Sequence, residues 1–239
     1  MDNAEPVLQQ VRERKNQEEV SLLKKSAEIL SRSYLEIPSM LEEGMTEQEL
    51  ERKISDEIFS KGAEHIEDML VQSGEKSADP HWLPSKRRIK RGESIVVDVS
   101  STYSGYFADI TRSFVIGENK EFERTYAMVL EAEERAIQQS NGGVSVGSVD
   151  AAARGFLKRE GLDKYFIHRT GHGLGLEVHE APYIVDRGKE VLGSNMFFTV
   201  EPGVYKPGRY GVRIEDNVLS TDKGREVLTS TPKEYGWWS

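Results

Sequence analysis

The stretch IVVDVSSTYSGYFADITRSFV, residues 95–115, carries the pattern on which the fold prediction rests. β-Branched and aromatic residues fill both of its halves, and a turn at residues 103–105 separates them, which predicts a β-hairpin. Asp98 and Asp109 are equidistant from the boundary between residues 103 and 104, so an even-length loop would place them opposite each other. Carboxylates at that separation repel, so the pair would share a proton or bind a cation. This register is an assumption that an odd loop or a bulge at residue 105 would break.

A second hairpin is predicted from residues 196–200 and 212–218, which frame a turn around Pro207-Gly208. Glu201 and Glu215 are equidistant from Gly208, so an odd-length loop again places two acids face to face. For either pair alone, half-exposed acids on a solvated surface are an equally good interpretation. The repetition in both hairpins favours one shared cavity.

Two helical units precede these hairpins. The first contains a long amphipathic helix over residues 18–41 and a second helix over residues 46–60, which Thr46 and Glu49 would cap. The second contains a helix over residues 121–139 and another that ends near residue 161. A shift of 99 residues aligns five positions: Gly44 with Gly143, Thr46 with Ser145, Leu50 with Val149, Ile58 with Leu157, and Gly62 with Gly161. Although chance could give so few matches, the pattern favours an internal duplication. We therefore predict an α+β fold of two pseudo-symmetric helix-helix-β-hairpin halves.

The type of metal that four acids could hold is limited by the composition. The 239 residues include no cysteine, so only oxygen and imidazole ligands are available. Such ligands select hard or borderline divalent ions. Two divalent cations would balance four carboxylates, which predicts a dinuclear centre.

Three of the five histidines lie in HRTGHGLGLEVHE, residues 168–180. Its three glycines allow close approach of the backbone to a site. Any one of these histidines could be structural, but their density beside an acidic cluster predicts a catalytic strip. His81 lies outside the strip, and His65 is predicted to be structural or at the surface.

The charge balance argues against nucleic-acid binding, because the net charge is −9. The one basic cluster, residues 86–91, is interpreted as a solvated turn before the strand at residue 95. No apolar run approaches the length of a membrane span, and residues 1–15 are polar. We therefore expect a cytoplasmic protein that binds neither nucleic acid nor membranes.

The strip of residues 168–180 resembles the signature of the proline peptidases, prolidase and aminopeptidase P. These enzymes share the "pita-bread" fold with creatinase and methionine aminopeptidase. Residues 98–114, the run VEPGVY at residues 200–205 and the run RIEDN at residues 213–217 resemble the other ligand segments of the family. The match extends over about residues 12–232.

The resemblance implies a complete set of site residues and a chemistry. It implies metal ligands at Asp98, Asp109, His172, Glu201 and Glu215. It implies catalytic roles for His81, His168, His179 and Glu201, and substrate-binding roles for His81, His168, His179, Tyr205 and Arg213. The cofactor would be two divalent ions per chain, with Mn²⁺ preferred over Co²⁺, Zn²⁺ or Fe²⁺. The reaction would be hydrolysis of the bond between an N-terminal residue and a following proline, in dipeptides or short peptides.

Two departures from the family pattern accompany this resemblance. Ser100 stands where the family usually has glycine, and we expect the usual N-terminal domain of the family to be absent. We predict an N-terminal extension over residues 1–15 and a metallopeptidase domain over residues 16–239, either standing alone or cut from a longer protein. Whether it forms a homodimer, and whether it prefers dipeptides or longer peptides, stays open. The alternatives are a methionine aminopeptidase and a non-catalytic pita-bread interaction module.

Overall fold

The computed structural model describes residues 4–238, which form two helix-and-sheet halves. The helices are α1 (Glu5–Glu13), α2 (Gln17–Tyr34), α3 (Ile37–Met40), α4 (Glu47–Ser60), α5 (Lys120–Gln139) and α6 (Val146–Arg159). The strands are β1 (His65–Ser73), β2 (Ser94–Tyr103), β3 (Tyr106–Val115), β4 (Gly171–Gly173), β5 (Glu180–Ile184), β6 (Phe197–Val200), β7 (Gly203–Lys206), β8 (Tyr210–Arg213), β9 (Asp216–Thr221) and β10 (Gly224–Val227). They form sheets in the orders β1-β2-β3, β10-β9-β6-β4-β5 and β7-β8. No helix within the described range is both long and apolar enough to cross a membrane.

The predicted helix over residues 18–41 is two helices, and the single-helix prediction was wrong. Helix α2 ends at Tyr34, and the short α3 begins at Ile37 with a proline in its first turn. Pro38 cannot donate a hydrogen bond to the carbonyl of Tyr34, and its ring would clash with that carbonyl in a continuous helix. The break therefore falls one turn before the proline.

The helices predicted at residues 46–60 and 121–139 are confirmed as α4 and α5. Thr46 accepts a hydrogen bond from the backbone of Glu49, and the Glu49 side chain accepts one from the backbone of Thr46. This reciprocal cap satisfies the first amides of α4 within the helix itself. Helix α6 starts from a Ser145 cap and ends at Arg159, two residues before Gly161.

The internal duplication extends to equivalent hydrogen bonds before the second helix of each unit. The amide of Gly44 donates to the carbonyl of Ile89 at 2.8 Å, and the amide of Gly143 donates to the carbonyl of Leu192 at 2.7 Å. Thr46 and Ser145 then form equivalent antiparallel bridges, to Arg88 and Val191 respectively. Gly44 and Gly143 both have φ of +88°, a conformation that favours glycine. Each half also has its own apolar core, one built around α2, α4, β2 and β3, the other around α5 and α6.

The hairpin of β2 and β3 forms as predicted, but its predicted register was wrong. Asp98 pairs with Thr111, and Asp109 pairs with Ser100. The turn consists of residues 104 and 105 alone, both with positive φ (49° and 78°), as two-residue hairpin turns require. The residue opposite each aspartate therefore lies two positions further along the chain than predicted. Because side chains alternate with a period of two, Asp98 and Asp109 stay on one face as diagonal neighbours.

The second predicted hairpin is divided into two ladders. Strands β7 and β8 pair across a turn at Gly208, with Gly203 opposite Arg213, whereas β6 and β9 pair with Val200 opposite Asp216. Both ladders have the predicted register around Gly208. Glu201 and Glu215 lie in the break between them. The amide of Glu215 donates instead to the carbonyl of Thr111 at 3.1 Å, which joins this half to β3.

The predicted extension at residues 1–15 includes α1, which lies against β5. The buried Lys15 forms an ion pair with Glu180 at 2.6 Å, and Arg12 contacts the other oxygen of the same carboxylate at 2.6 Å. Residues 1–3 and residue 239 lie outside the described range. His65 is exposed on β1, as predicted.

Candidate metal centre

A cavity of about 480 Å³ lies where the two halves meet, and it brings the predicted residues together. Its lining includes all five predicted metal ligands and most of the predicted catalytic and substrate-binding residues: Asp98, Asp109, His172, Glu201, Glu215, His81, His168, His179 and Arg213. The fifth predicted substrate-binding residue, Tyr205, is buried behind His168, and its hydroxyl lies 2.9 Å from Nε2 of that ring.

Three of these side chains form the tightest group. One ligand atom each from Asp109, His172 and Glu215 lies within 4.8 Å of the others, and all three residues are buried. They come from β3, from β4 and from the break between β8 and β9. Glu201 adds a fourth group, because its Oε1 lies 3.3 Å from Nε2 of His172. Such a convergence of elements far apart in sequence is produced by the fold alone.

In the metal-free cavity, ionisation of the carboxyl groups in this cluster is unfavourable. Burial raises the pKa of Asp109 well above its usual value, and the charges of Asp98 and Glu201 raise it further. Burial likewise raises the pKa of Glu215 well above its usual value, with Asp109 as the largest neighbouring charge. The pKa of Glu201 rises to about 7, first through burial and then through Asp98, against the opposing charge of Arg213. A positive charge placed among these groups would reverse the effect.

The donor set fits a divalent cation. Oδ1 of Asp109 is buried and has no hydrogen-bond partner among the described residues. Nδ1 of His172 lies 3.1 Å from the carbonyl of Gly173, which leaves Nε2 facing Asp109 and Glu201. Burial lowers the pKa of His172 well below its usual value, so the ring is neutral and can offer a lone pair. An unpartnered carboxylate oxygen beside a neutral imidazole is what a hard or borderline ion binds.

His168, Tyr205 and Arg213 form a hydrogen-bonded chain along the wall. Nδ1 of His168 lies 2.6 Å from the carbonyl of Arg169, and its Nε2 faces the Tyr205 hydroxyl. Arg213 donates to that hydroxyl at 2.6 Å and also contacts Asp98. Burial and the charge of Arg213 lower the pKa of His168 to about 3. Both ring nitrogens of His168 are therefore engaged, and Arg213 contacts Asp98 within the lining of the cavity.

The mouth of the cavity carries the groups that remain accessible. His81 and His179 are exposed there, and the His179 ring lies 4.2 Å from the His172 ring, centre to centre. Asp68 and Arg169 line the same mouth. Sequence reasoning missed both. Asp68 belongs to no pattern with the predicted residues, and Arg169 lies within the strip of residues 168–180, of which only the histidines were assigned roles.

Two threonines that support the acids were also missed, although a sequence signal existed. Thr111 Oγ1 donates to Glu215 at 2.6 Å, and Thr199 Oγ1 lies 3.2 Å from Oε1 of Glu201. Each is two residues from a predicted ligand, Asp109 or Glu201, along an extended segment. The period of two places such residues on the same face, so this spacing could have found them.

A comparison with models of protein families identifies the family to which this chain belongs. The model of metallopeptidase family M24 matches residues 21–222, which include all five predicted ligands. The chain belongs to metallopeptidase family M24. The predicted pita-bread fold is confirmed by the solved structures of M24-type proteins. The chain superposes on the prolidase from Pyrococcus furiosus with a TM-score of 0.94 and 38% identity, over 97% of this chain and 69% of that one.

Two further M24 relatives differ in their described activities. The probable dipeptidase PepE from Mycobacterium tuberculosis is 40% identical over 233 residues, which cover 97% of this chain and 62% of that protein. The X-Pro aminopeptidase from Thermotoga maritima has a TM-score of 0.93 and 40% identity, over 96% of this chain and 65% of that one. The chain thus spans less than two thirds of the length of both proteins.

Proposed function

We propose that this M24 chain is a metal-dependent exopeptidase that hydrolyses the bond between an N-terminal residue and a following proline. The observation that carries the proposal is the buried convergence of Asp109, His172 and Glu215, in which Oδ1 of Asp109 has no hydrogen-bond partner within residues 4–238. Relatives named prolidase and X-Pro aminopeptidase support the substrate class.

We assign the metal ligands as Asp98, Asp109, His172, Glu201 and Glu215, holding two divalent ions. Four carboxylates and one imidazole favour Mn²⁺, although Co²⁺, Zn²⁺ or Fe²⁺ would also suit them. When bound, the ions would polarise the scissile carbonyl and make a water molecule more acidic.

The residues of the chain would perform the remaining steps. His179 and His81 reach the cavity from its mouth, where either could donate a hydrogen bond to the carbonyl oxygen as negative charge develops there. A carboxylate oxygen of Glu201 would carry the proton from the attacking water to the leaving nitrogen. That proton matters because the nitrogen of a proline is a tertiary amide. His168 and Tyr205 would shape the pocket wall through their hydrogen bond.

Substrate preference tests the proposal against a methionine aminopeptidase. The assay compares hydrolysis of Met-Pro and Met-Ala-Ser by the Mn²⁺-loaded protein. We expect faster cleavage of Met-Pro, and faster release of Met from Met-Ala-Ser would reject the assignment. Cleavage of neither peptide by a metal-loaded protein would favour a non-catalytic interaction module.

Three further assignments belong to this proposal. We propose that residues 16–239 form the catalytic domain and that residues 1–15 are an extension of it. We also propose that the protein acts in the cytoplasm. Its partners would be dipeptides or short peptides rather than nucleic acid or membranes. Assembly into a homodimer is compatible with the proposal, and measurement of the mass in solution would test it.

A further inference from the structure

A buried network of charges lies directly behind Glu215 and joins it to the C-terminal segment, defined here as residues 229–238. Arg112 is fully buried at the centre of this network. Its Nη1 donates to the backbone carbonyl of Glu215 at 2.6 Å, and its Nη2 donates to Oδ1 of Asp216 at 2.7 Å. The same guanidinium donates to the carbonyls of Thr231 at 2.8 Å and Pro232 at 3.0 Å. One side chain thus links the backbone of Glu215 to the C-terminal segment.

Lys233 adds the second cation of the network. Its Nζ lies 2.9 Å from Oδ2 of Asp216 and 3.0 and 2.8 Å from the two oxygens of Glu133 on α5. Glu133 and Asp216 are buried, whereas 21% of the Lys233 side chain is exposed. Among the described residues, two acids therefore face two bases, and Lys233 is the base that contacts both acids.

The removal of the Lys233 charge would leave two buried carboxylates with Arg112 as their single cation among the described residues. Buried acids in contact repel unless one takes up a proton or moves away. Asp216 is the neighbour of Glu215 in the chain, and the carbonyl of Glu215 is held by the same guanidinium. A shift of Asp216 would therefore move the backbone of Glu215. The side chain of Glu215 lines the cavity and accepts a hydrogen bond from Thr111, so it would move as well.

We propose that Lys233 and Arg112 form a latch that positions Glu215 for metal binding. The C-terminal segment would then set the metal affinity of the site, although residues 229–238 are not among those that line the cavity. This inference rests on the proposed function, because it requires Glu215 to be a metal ligand. Lys233 acts here as a positioning residue, and partners in such outer positions change metal affinity by about 10–100-fold when removed.

The test compares Lys233→Met with a matched control in the full chain. Lys24 contacts both oxygens of Glu226 at 2.8 Å on the surface, with 45% of its side chain exposed, so Lys24→Met removes a lysine–glutamate ion pair that includes no residue of the network. Metal-free proteins are titrated with Mn²⁺ by calorimetry. The visible absorption of the Co²⁺ forms reports the ligand geometry, and the melting temperature is measured without metal.

Lys233→Met should raise the Kd for Mn²⁺ about tenfold or more and change the Co²⁺ spectrum. Lys233→Arg should restore both to near the wild-type values, and Lys24→Met should leave both unchanged. A wild-type Kd and Co²⁺ spectrum in Lys233→Met would overturn the latch, even if the melting temperature fell, because the network would then only anchor the C-terminal segment.

A second variant keeps the test decisive if Lys233→Met does not fold. Thr229 Oγ1 donates to Oδ1 of Asp216 at 2.7 Å, so Thr229→Val removes a neutral partner of the same carboxylate. A rise in Kd of about threefold is expected, as for the loss of one hydrogen bond of modest strength, and an unchanged Kd would overturn the latch. If the wild-type protein itself took up no Mn²⁺ or Co²⁺, the proposed function would fail, and the latch with it. Failure of the latch alone requires a wild-type protein that binds metal.

Discussion

Replacement of Glu201 by glutamine should stabilise the metal-free protein, and increasingly so at alkaline pH. Burial and the charge of Asp98 raise the pKa of Glu201 from 4.5 to about 7 in the folded protein. A carboxyl group with a higher pKa in the folded state binds more protons when folded. Its contribution to stability is therefore complete below about pH 4.5 and is lost as the pH rises through 7.

The expected size of the effect follows from this difference. A tenfold change in proton affinity corresponds to about 1.4 kcal/mol, so ionisation of Glu201 costs the folded, metal-free protein roughly 3 kcal/mol above pH 7. Only 14% of the Glu201 side chain is exposed, so solvent screens little of this cost. Glutamine has nearly the same shape and does not ionise, so it avoids the cost.

The assay is urea unfolding at pH 5 and pH 8.5 with a chelator present. Glu201→Gln should gain roughly 3 kcal/mol over the wild type between these two pH values. Glu226→Gln, a surface control with 48% of its side chain exposed, should gain about 0.5 kcal/mol or less. With saturating Mn²⁺ the order should reverse, because the wild type alone has the full ligand set. An equal difference between Glu201→Gln and wild type at both pH values would refute the burial argument.

Three other outcomes are expected. A chelator should abolish peptidase activity, and Mn²⁺ or Co²⁺ should restore it. Elemental analysis should give two ions per chain, and a metal content of zero after reconstitution would contradict the dinuclear proposal. Asp109→Asn should remove most turnover and metal content without unfolding the metal-free protein, as circular dichroism and metal analysis would report; intact turnover would contradict its assignment as a ligand. Lys15→Met should lower the free energy of unfolding by roughly 3 kcal/mol, because it leaves the buried Glu180 with Arg12 as its remaining partner. The control Lys24→Met, at a surface ion pair, should change the free energy of unfolding by about 0.5 kcal/mol or less. Equal losses in the two variants would refute the argument from burial.

Local signals determined much of the fold. The reciprocal cap of Thr46 and Glu49 depends only on neighbouring atoms, so the sequence predicted it correctly. The helix break before Pro38 had a local signal as well, and the error there was to let apolar periodicity outweigh the missing amide. Among the strands that sequence reasoning missed, β4 and β5 are only three and five residues long and are defined by their partners.

Spacing and alternation predicted the two acidic pairs of the candidate site, and the resemblance to the proline peptidases implied the roles of the histidines, Tyr205 and Arg213. The hairpin register was not predicted correctly, because it depends on whether residues 104 and 105 alone form the turn. The error still left Asp98 and Asp109 on one face, since two positions make a full period of the strand.

The sequence by itself limited the ligands available to a metal to oxygen and imidazole groups, because the chain has no cysteine, and it indicated four acids and one histidine as the candidates. Only the tertiary structure decided how they meet, that Asp109 keeps an unpartnered oxygen, that Arg213 is directed to Asp98, and that Lys233 lies behind Glu215. The physical reason is that hydrogen bonds and caps within a helix or turn act over a few residues along the chain. Burial and charge act instead through space, between residues that only the folded chain brings together.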